Sequence, residues 1–148
     1  MKIDNHADTT CLGENFTPLS FTGEVCGVSL FTDEYDSIKD VRVCSGATAW
    51  DDANTGLTYI LIFHQSLWFG SKMKHSLICP NQCRVTGLSL CDDPFDPNRD
   101  LGIEISERGI IIPFKTHGTI VRFKTRTPTQ NKIENQKRKK SGKRALPT

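Results

Sequence analysis

Apolar and polar residues alternate, or apolar residues form short runs, over most of the first 127 positions. The runs VRVCSGATAW (41–50) and LTYILIFHQSLWF (57–69) are rich in β-branched and aromatic residues. Between them DDANTG (51–56) combines residues that favour tight turns. The pattern predicts two strands joined as a β-hairpin.

Further short strands are predicted on both sides of this hairpin. GEVCGVSLF (23–31) is apolar and is bounded by turn residues, and LGIEISE (101–107) alternates strictly. Glycine-containing turns then introduce IIIPF (110–114) and TIVRFKTRT (119–127). Several short strands at this spacing indicate an all-β domain, either a small barrel or a sandwich.

One segment has a helical pattern. In SLICPNQCRVTG (76–87), Pro80 suits the first turn of a helix and Gly87 suits the position just past its end. We predict one short helix near residues 79–86.

The composition changes after Thr127. Residues 1–114 carry 8 Lys/Arg and 16 Asp/Glu, a net charge of −8, whereas residues 115–148 carry 11 Lys/Arg and one acid, a net charge of +10. The segment 128–148 has too few large apolar residues to offset the entropy of ordering. We therefore predict a folded domain over 1–127 and a disordered basic tail over 128–148.

The lack of a long apolar run and of a signal peptide indicates an intracellular protein without membrane partners. No apolar run approaches the roughly 20 residues that span a bilayer, and MKIDNHADTT lacks the apolar stretch of a signal peptide. The six cysteines are then predicted to be free thiols. The i, i+4, i+8 spacing of His75, Cys79 and Cys83 leaves a metal site as the less favoured alternative to buried thiols, and no metal or cofactor is predicted.

The candidate chemistry lies in KIDNHADTTCLG (2–13). An apolar residue precedes Asp4, and Ala7, Asp8 and two threonines follow. This pattern resembles the active-site turn of retropepsins, the aspartic proteases of retroviruses and retrotransposons, in which Asp-Ser/Thr-Gly-Ala is often followed by Asp and Thr. Asn5 and His6 stand where the family has Ser/Thr and Gly.

The resemblance is closest to protease regions of copia-type retrotransposon polyproteins, including divergent ones with His-Ala-Asp-Thr after the aspartate. It covers most of residues 2–129. Three later segments match in order and spacing: Ser45-Gly46-Ala47 with the turn and TYILIFHQSLW, HSLICPNQCRVTG (75–87), and IIIPFKTHGTIVRFKTRTPT (110–129).

The resemblance implies a small, closed, retropepsin-like barrel that processes a retrotransposon polyprotein, in the cytoplasm or within virus-like particles. Asp4 would be the catalytic carboxylate, Ala7 and Asp8 would hold the substrate backbone, and Thr9 would line the same cleft. Two carboxylates about 3 Å apart share one proton and so supply both base and acid. Since such a chain carries one catalytic aspartate, the resemblance implies a homodimer about the active-site axis.

Two other functions remain open from the sequence. The family has strands before its catalytic turn, whereas this chain begins three residues before Asp4; we therefore expect a fragment, which would be inactive without those strands. Alternatively, the chain is a nucleic-acid-binding module that acts through its basic tail, whose cations are Lys137, Arg138, Lys139, Lys140, Lys143 and Arg144.

Overall fold

The structure, a computed structural model, describes residues 1–4, 7–29 and 38–134. Eight strands form one sheet in the order β10-β11-β1-β6-β2-β5-β4-β3, and three form a second sheet in the order β7-β8-β9. The strands are β1 (Lys2–Ile3), β2 (Cys11–Gly13), β3 (Thr17–Val28), β4 (Ile38–Asp51), β5 (Thr58–Gly70), β6 (Leu77–Ile78), β7 (Ser89–Cys91), β8 (Gly102–Ile105), β9 (Ile110–Pro113), β10 (Lys115–His117) and β11 (Ile120–Arg122). The all-β prediction is therefore confirmed.

The predicted hairpin forms part of the large sheet. β4 and β5 pair in antiparallel fashion from Asp51 opposite Thr58 to Val43 opposite Leu67. Asp52 fixes the turn, because its carboxylate accepts hydrogen bonds from the Asn54 N–H (3.0 Å) and the Thr55 hydroxyl (3.0 Å). The turn predicted at 51–56 is therefore present, and side-chain hydrogen bonds of Asp52 stabilise it.

The predicted helix is also confirmed. α1 spans Pro80–Val85, with Pro80 at its beginning and Gly87 two residues past its end at φ 91°. The same short segment joins the two sheets, since β6 precedes α1 and β7 follows it. A short 3-10 helix (Ser106–Arg108) connects β8 to β9.

One apolar cluster fills the space between the two sheets. It contains fully buried side chains from both, including Leu12 and Ile78 of the large sheet and Ile112 of the small one. Aromatic pairs reinforce it: Phe16 meets Phe63 edge-on (centroids 5.6 Å apart), and Trp50 stacks on Tyr59. The small sheet is therefore part of the same folded unit.

The prediction of a closed barrel is wrong for the described residues. The large sheet has two edges, β10 and β3, and no strand pairing joins them within 1–4, 7–29 and 38–134. β3 pairs only with β4, it contains Pro18, which has no N–H to donate, and most of its side chains are exposed. A strand with little apolar surface to bury gains little from closing the sheet.

Ordered packing continues beyond residue 127. Pro128 and Ile133 are buried, and residues 130–134 are helical. Upstream of them, Arg126 pairs with Ala49 by an isolated bridge, and its guanidinium binds the Asp51 carboxylate at 2.8 and 2.9 Å. The tail cations from Lys137 to Arg144 lie outside the described residues, so the disordered basic tail stays a prediction.

No helix in the described part of the chain is long and apolar enough to cross a membrane.

Candidate active site

Asp4 lies where the chain leaves β1 and turns over the end of β6. β6 is hydrogen-bonded to β1 on one side, in parallel, and to β2 on the other, antiparallel. The connection from β1 to β2 therefore passes the end of β6. The Asp4 N–H donates to the Ile78 carbonyl at 3.0 Å, which places Asp4 beside the last residue of β6.

The turn after Asp4 is closed by its own backbone. The Ala7 N–H donates a hydrogen bond to the Asp4 carbonyl at 3.3 Å. Ala7 is the first residue of the predicted substrate-binding set, and this bond holds it close to Asp4. Asp8 is exposed, and Asp4, Ala7 and Thr9 are half-buried. The predicted turn residues Asn5 and His6 lie outside the described residues.

Thr10 anchors the segment that follows the turn, a role that no sequence pattern predicts. The side chain is 2% exposed, and its hydroxyl accepts a hydrogen bond from the Cys79 N–H at 3.1 Å. Its N–H donates to the Gln82 side chain (2.8 Å), and its carbonyl accepts from the Leu67 N–H (2.9 Å). One residue thereby ties the end of the candidate loop to β5 and to the beginning of α1.

A second buried polar group fixes β2 against the segment before β6. The Ser76 hydroxyl, fully buried, accepts from the Gly13 N–H (2.8 Å) and donates to the Asn15 amide oxygen (2.5 Å). The Asn15 amide group in turn donates to the Thr125 hydroxyl at 2.7 Å. Buried polar groups whose bonds are all satisfied favour one arrangement of the chain.

The carboxylates of Asp4 and Asp8 act on the same neighbour, the Cys11 thiol. The pKa of Cys11 is raised to about 11, first by burial, then by the negative charge of Asp8, and then by that of Asp4. Both predicted acids therefore approach the beginning of β2. Asp4, Ala7 and Asp8 lie in the segment between β1 and β2, and their roles stay a prediction.

Cys11 and Cys83 are expected to react slowly with alkylating reagents. Burial, followed by the nearby Cys79, raises the pKa of Cys83 to about 11, like that of Cys11. The reactive thiolate is then about 100-fold scarcer near neutral pH than for a thiol with the ordinary pKa of 9.0. A pulse of iodoacetamide, followed by peptide mass spectrometry, should label both residues about 100-fold more slowly in the native than in the denatured chain.

The pH dependence of that labelling is the control for simple steric protection. The native rates of Cys11 and Cys83 should rise about tenfold per pH unit up to about pH 10, because the thiolate fraction does. Rates that stay low and flat with pH would show that access, and not thiolate formation, limits the reaction.

Among the described residues no group of three or more His, Cys, Asp or Glu side chains is arranged to hold a metal ion.

An apolar groove lies beside the candidate loop, and neither Asp4 nor Asp8 lines it. It has a volume of about 560 Å³ and runs between β5, α1 and the small sheet, with Tyr59, Leu61, Phe63, Leu88 and Ile103 among its lining residues. Thr10 also lines it, whereas Asp4, Ala7, Asp8 and Thr9 do not. In a single chain, therefore, the candidate carboxylate does not line this groove.

A serine–histidine contact on the hairpin was not predicted as a site. The Ser45 hydroxyl lies 2.7 Å from Nδ1 of His64, at an irregularity in the β4–β5 pairing, and Gln65 beside it has a positive φ of 50°. Within the described residues no carboxylate hydrogen-bonds to His64, so the pair lacks the third member of a hydrolytic triad.

Comparison with known proteins gives no relative: no family model, no curated protein and no solved structure matches this chain.

Proposed function

We propose that this chain is an aspartic endopeptidase domain of the retropepsin type, which processes the polyprotein of a copia-type retrotransposon. The observation that carries the proposal is the position of Asp4 in a turn held on both sides. Its N–H binds Ile78 of β6, and the segment that follows is anchored by the three hydrogen bonds of Thr10. Hydrogen bonds at Asp4 and at Thr10 favour the positional precision that general acid–base catalysis requires of a carboxylate.

The second carboxylate of the dyad comes from another copy of the chain. Amide hydrolysis needs a base that activates water and an acid that protonates the scissile carbonyl, and two carboxylates that share one proton supply both. Asp8 is exposed, follows the bend closed at Ala7, and is assigned to the substrate backbone together with Ala7. A twofold axis beside Asp4 would bring two copies of the same residue together in an isologous dimer.

Thr9 completes the proposed cleft. It is half-buried and immediately precedes Thr10, which lines the apolar groove along β5 and α1. The path from Asp4 through Asp8 to Thr10 thus leads from the carboxylate towards an apolar surface on which substrate side chains could pack.

The test is cleavage of a mixed peptide library by a fixed amount of wild-type chain to which Asp4→Asn chain is added. If each active site takes one Asp4 from each of two copies, random pairing puts half of the wild-type chains into inactive mixed dimers at equal concentrations. Cleavage should therefore fall to about half, and to about a tenth with a ninefold excess of the variant.

The matched control is addition of Asp100→Asn chain, which removes an exposed carboxylate on the loop before β8 and should leave cleavage unreduced. Cleavage unaffected by Asp4→Asn chain would contradict the shared dyad. Absence of cleavage by the wild-type chain itself would favour the inactive fragment.

A further inference from the structure

Three cations lie side by side across three neighbouring strands at one edge of the large sheet. The backbone register places Lys115 of β10 opposite Arg122 of β11, and Arg122 opposite Lys2 of β1. Residues paired in this way project from the same face. Since neighbouring strands lie about 4.8 Å apart, the row spans about 10 Å. We call Lys2, Lys115 and Arg122 the cation row.

The face that carries the row is the outer one. On the opposite face Met1, Val121 and Phe123 are buried in the core, whereas Lys115 and Arg122 are exposed and Lys2 is half-buried. The row is therefore compact and open to solvent.

No carboxylate neutralises the row within the described residues. The two ion pairs formed there, Arg84 with Asp92 and Arg126 with Asp51, lie elsewhere. Like charges directly opposite on neighbouring strands destabilise a sheet. The chain therefore retains three like charges at a cost to its fold, and an external anion would relieve that cost.

We propose that the cation row binds the phosphodiester backbone of a single-stranded nucleic acid. Each of the three neighbouring β-strands carries one cation of the row. A nucleic acid backbone has one anionic phosphate in every repeat unit, and it therefore matches this arrangement. An extended acidic peptide is a poorer match, because its successive side chains point to opposite faces. One row of cations can contact one phosphodiester backbone. The second backbone of a duplex would have no cationic partner on this surface.

Binding at this surface is to phosphates and not to bases. The same face of β10 and β11 presents His117 and Ile120 beyond the row, and no Phe, Tyr or Trp for base stacking. Affinity should thus depend on salt and be indifferent to sequence. The basic segment 137–144 adds six cations to the same chain, which would strengthen such binding without being required for the contribution of the row.

The test measures fluorescence anisotropy of a labelled single-stranded oligonucleotide of about 20 residues with the full chain, from roughly 50 to 200 mM salt. The K2Q/K115Q/R122Q variant should bind at least about tenfold more weakly at the lowest salt. Its log–log salt dependence should be shallower by about 2, since each lost phosphate contact on a single strand removes about 0.7. A K39Q/R99Q/R108Q variant, which loses the same charge from β4, a loop and the 3-10 helix, should keep the wild-type slope.

A second pair of chains separates the row from the tail. In a full-length background with all six cations of 137–144 changed to glutamine, the row substitutions should still weaken binding about tenfold. If the plots of log affinity against log salt concentration have equal slopes for the row variant and the control variant, the proposal is overturned. Row-dependent binding of a duplex or of polyglutamate as tight as that of the single strand would overturn it too. Thermal melting checks the fold: removal of like charges should leave the melting temperature unchanged or raise it, and R122Q alone gives the same test should the triple variant unfold.

Discussion

Asp4→Asn should lower kcat for peptide cleavage by at least about 10³-fold with little change in KM. Asparagine has nearly the same shape, so the N–H of residue 4 can still bind Ile78 and the Thr10 anchor remains. The amide can neither take a proton from water nor return one to the substrate. The loss should therefore appear in the chemical step, measured by steady-state cleavage of a peptide from the library, and the melting temperature should not change.

Two further Asp→Asn substitutions are the controls for this result. Asp8→Asn, in the residue assigned to the substrate backbone, should raise KM more than it lowers kcat, because a neutral side chain still permits the chemistry. Asp100→Asn removes an exposed carboxylate far along the chain and should change neither constant. An Asp4→Asn chain as active as wild type would show that the cleaving group is another residue.

The pH profile offers an independent check. Only the pair of carboxylates that holds a single proton contains both a base and an acid, so cleavage by the wild-type chain should pass through a maximum in acid and decline on both sides. A rate that rises monotonically towards neutral pH would argue against a carboxylate dyad.

The parts of the fold predicted correctly have local causes. The β4–β5 hairpin follows from the Asp52 turn, and α1 follows from Pro80 and Gly87, each within a few residues of the element it limits. The two-residue strands β1 and β6 have no periodicity to read, and their pairing joins residues 2 and 77. The arrangement around Asp4 depends on that long-range pairing, so it could not be derived from spacing.

The candidate site shows the same division. Asp4, Ala7, Asp8 and Thr9 could be named because they stand together in a motif. The residues that hold their loop, Thr10 and Ser76, contact partners at sequence separations of 61 to 72. The cation row was equally hidden, because its members are adjacent only through the register of β10, β11 and β1.

Composition also misled at the end of the domain. It assigned residues from 128 onwards to a tail because they contain few large apolar side chains, yet Pro128 and Ile133 are both buried. A single apolar residue can dock on a core already formed by other segments, and average hydrophobicity does not detect this.

The largest expected effect on stability belongs to Leu12. This β2 residue is fully buried in the core, and Leu12→Ala should lower the free energy of unfolding by about 3–5 kcal/mol, through lost burial and the cavity left behind. Urea denaturation followed by tryptophan fluorescence measures the change. Leu57→Ala, at a position 57% exposed beside the hairpin turn, is the control and should cost less than about 0.5 kcal/mol. A loss below about 1 kcal/mol for Leu12→Ala would contradict its place in the core.

Gly46 provides a sharper test of the same packing, because a β-carbon at this position of β4 would collide with Cδ1 of Leu12. Gly46→Ala should therefore destabilise the wild-type chain by about 1–3 kcal/mol, as overpacking does. In the Leu12→Ala background that space is empty, and the added methyl group should cost far less or even stabilise the chain. The double-mutant cycle should then give a coupling energy of at least about 1 kcal/mol, whereas strict additivity would mean that Leu12 does not pack over Gly46.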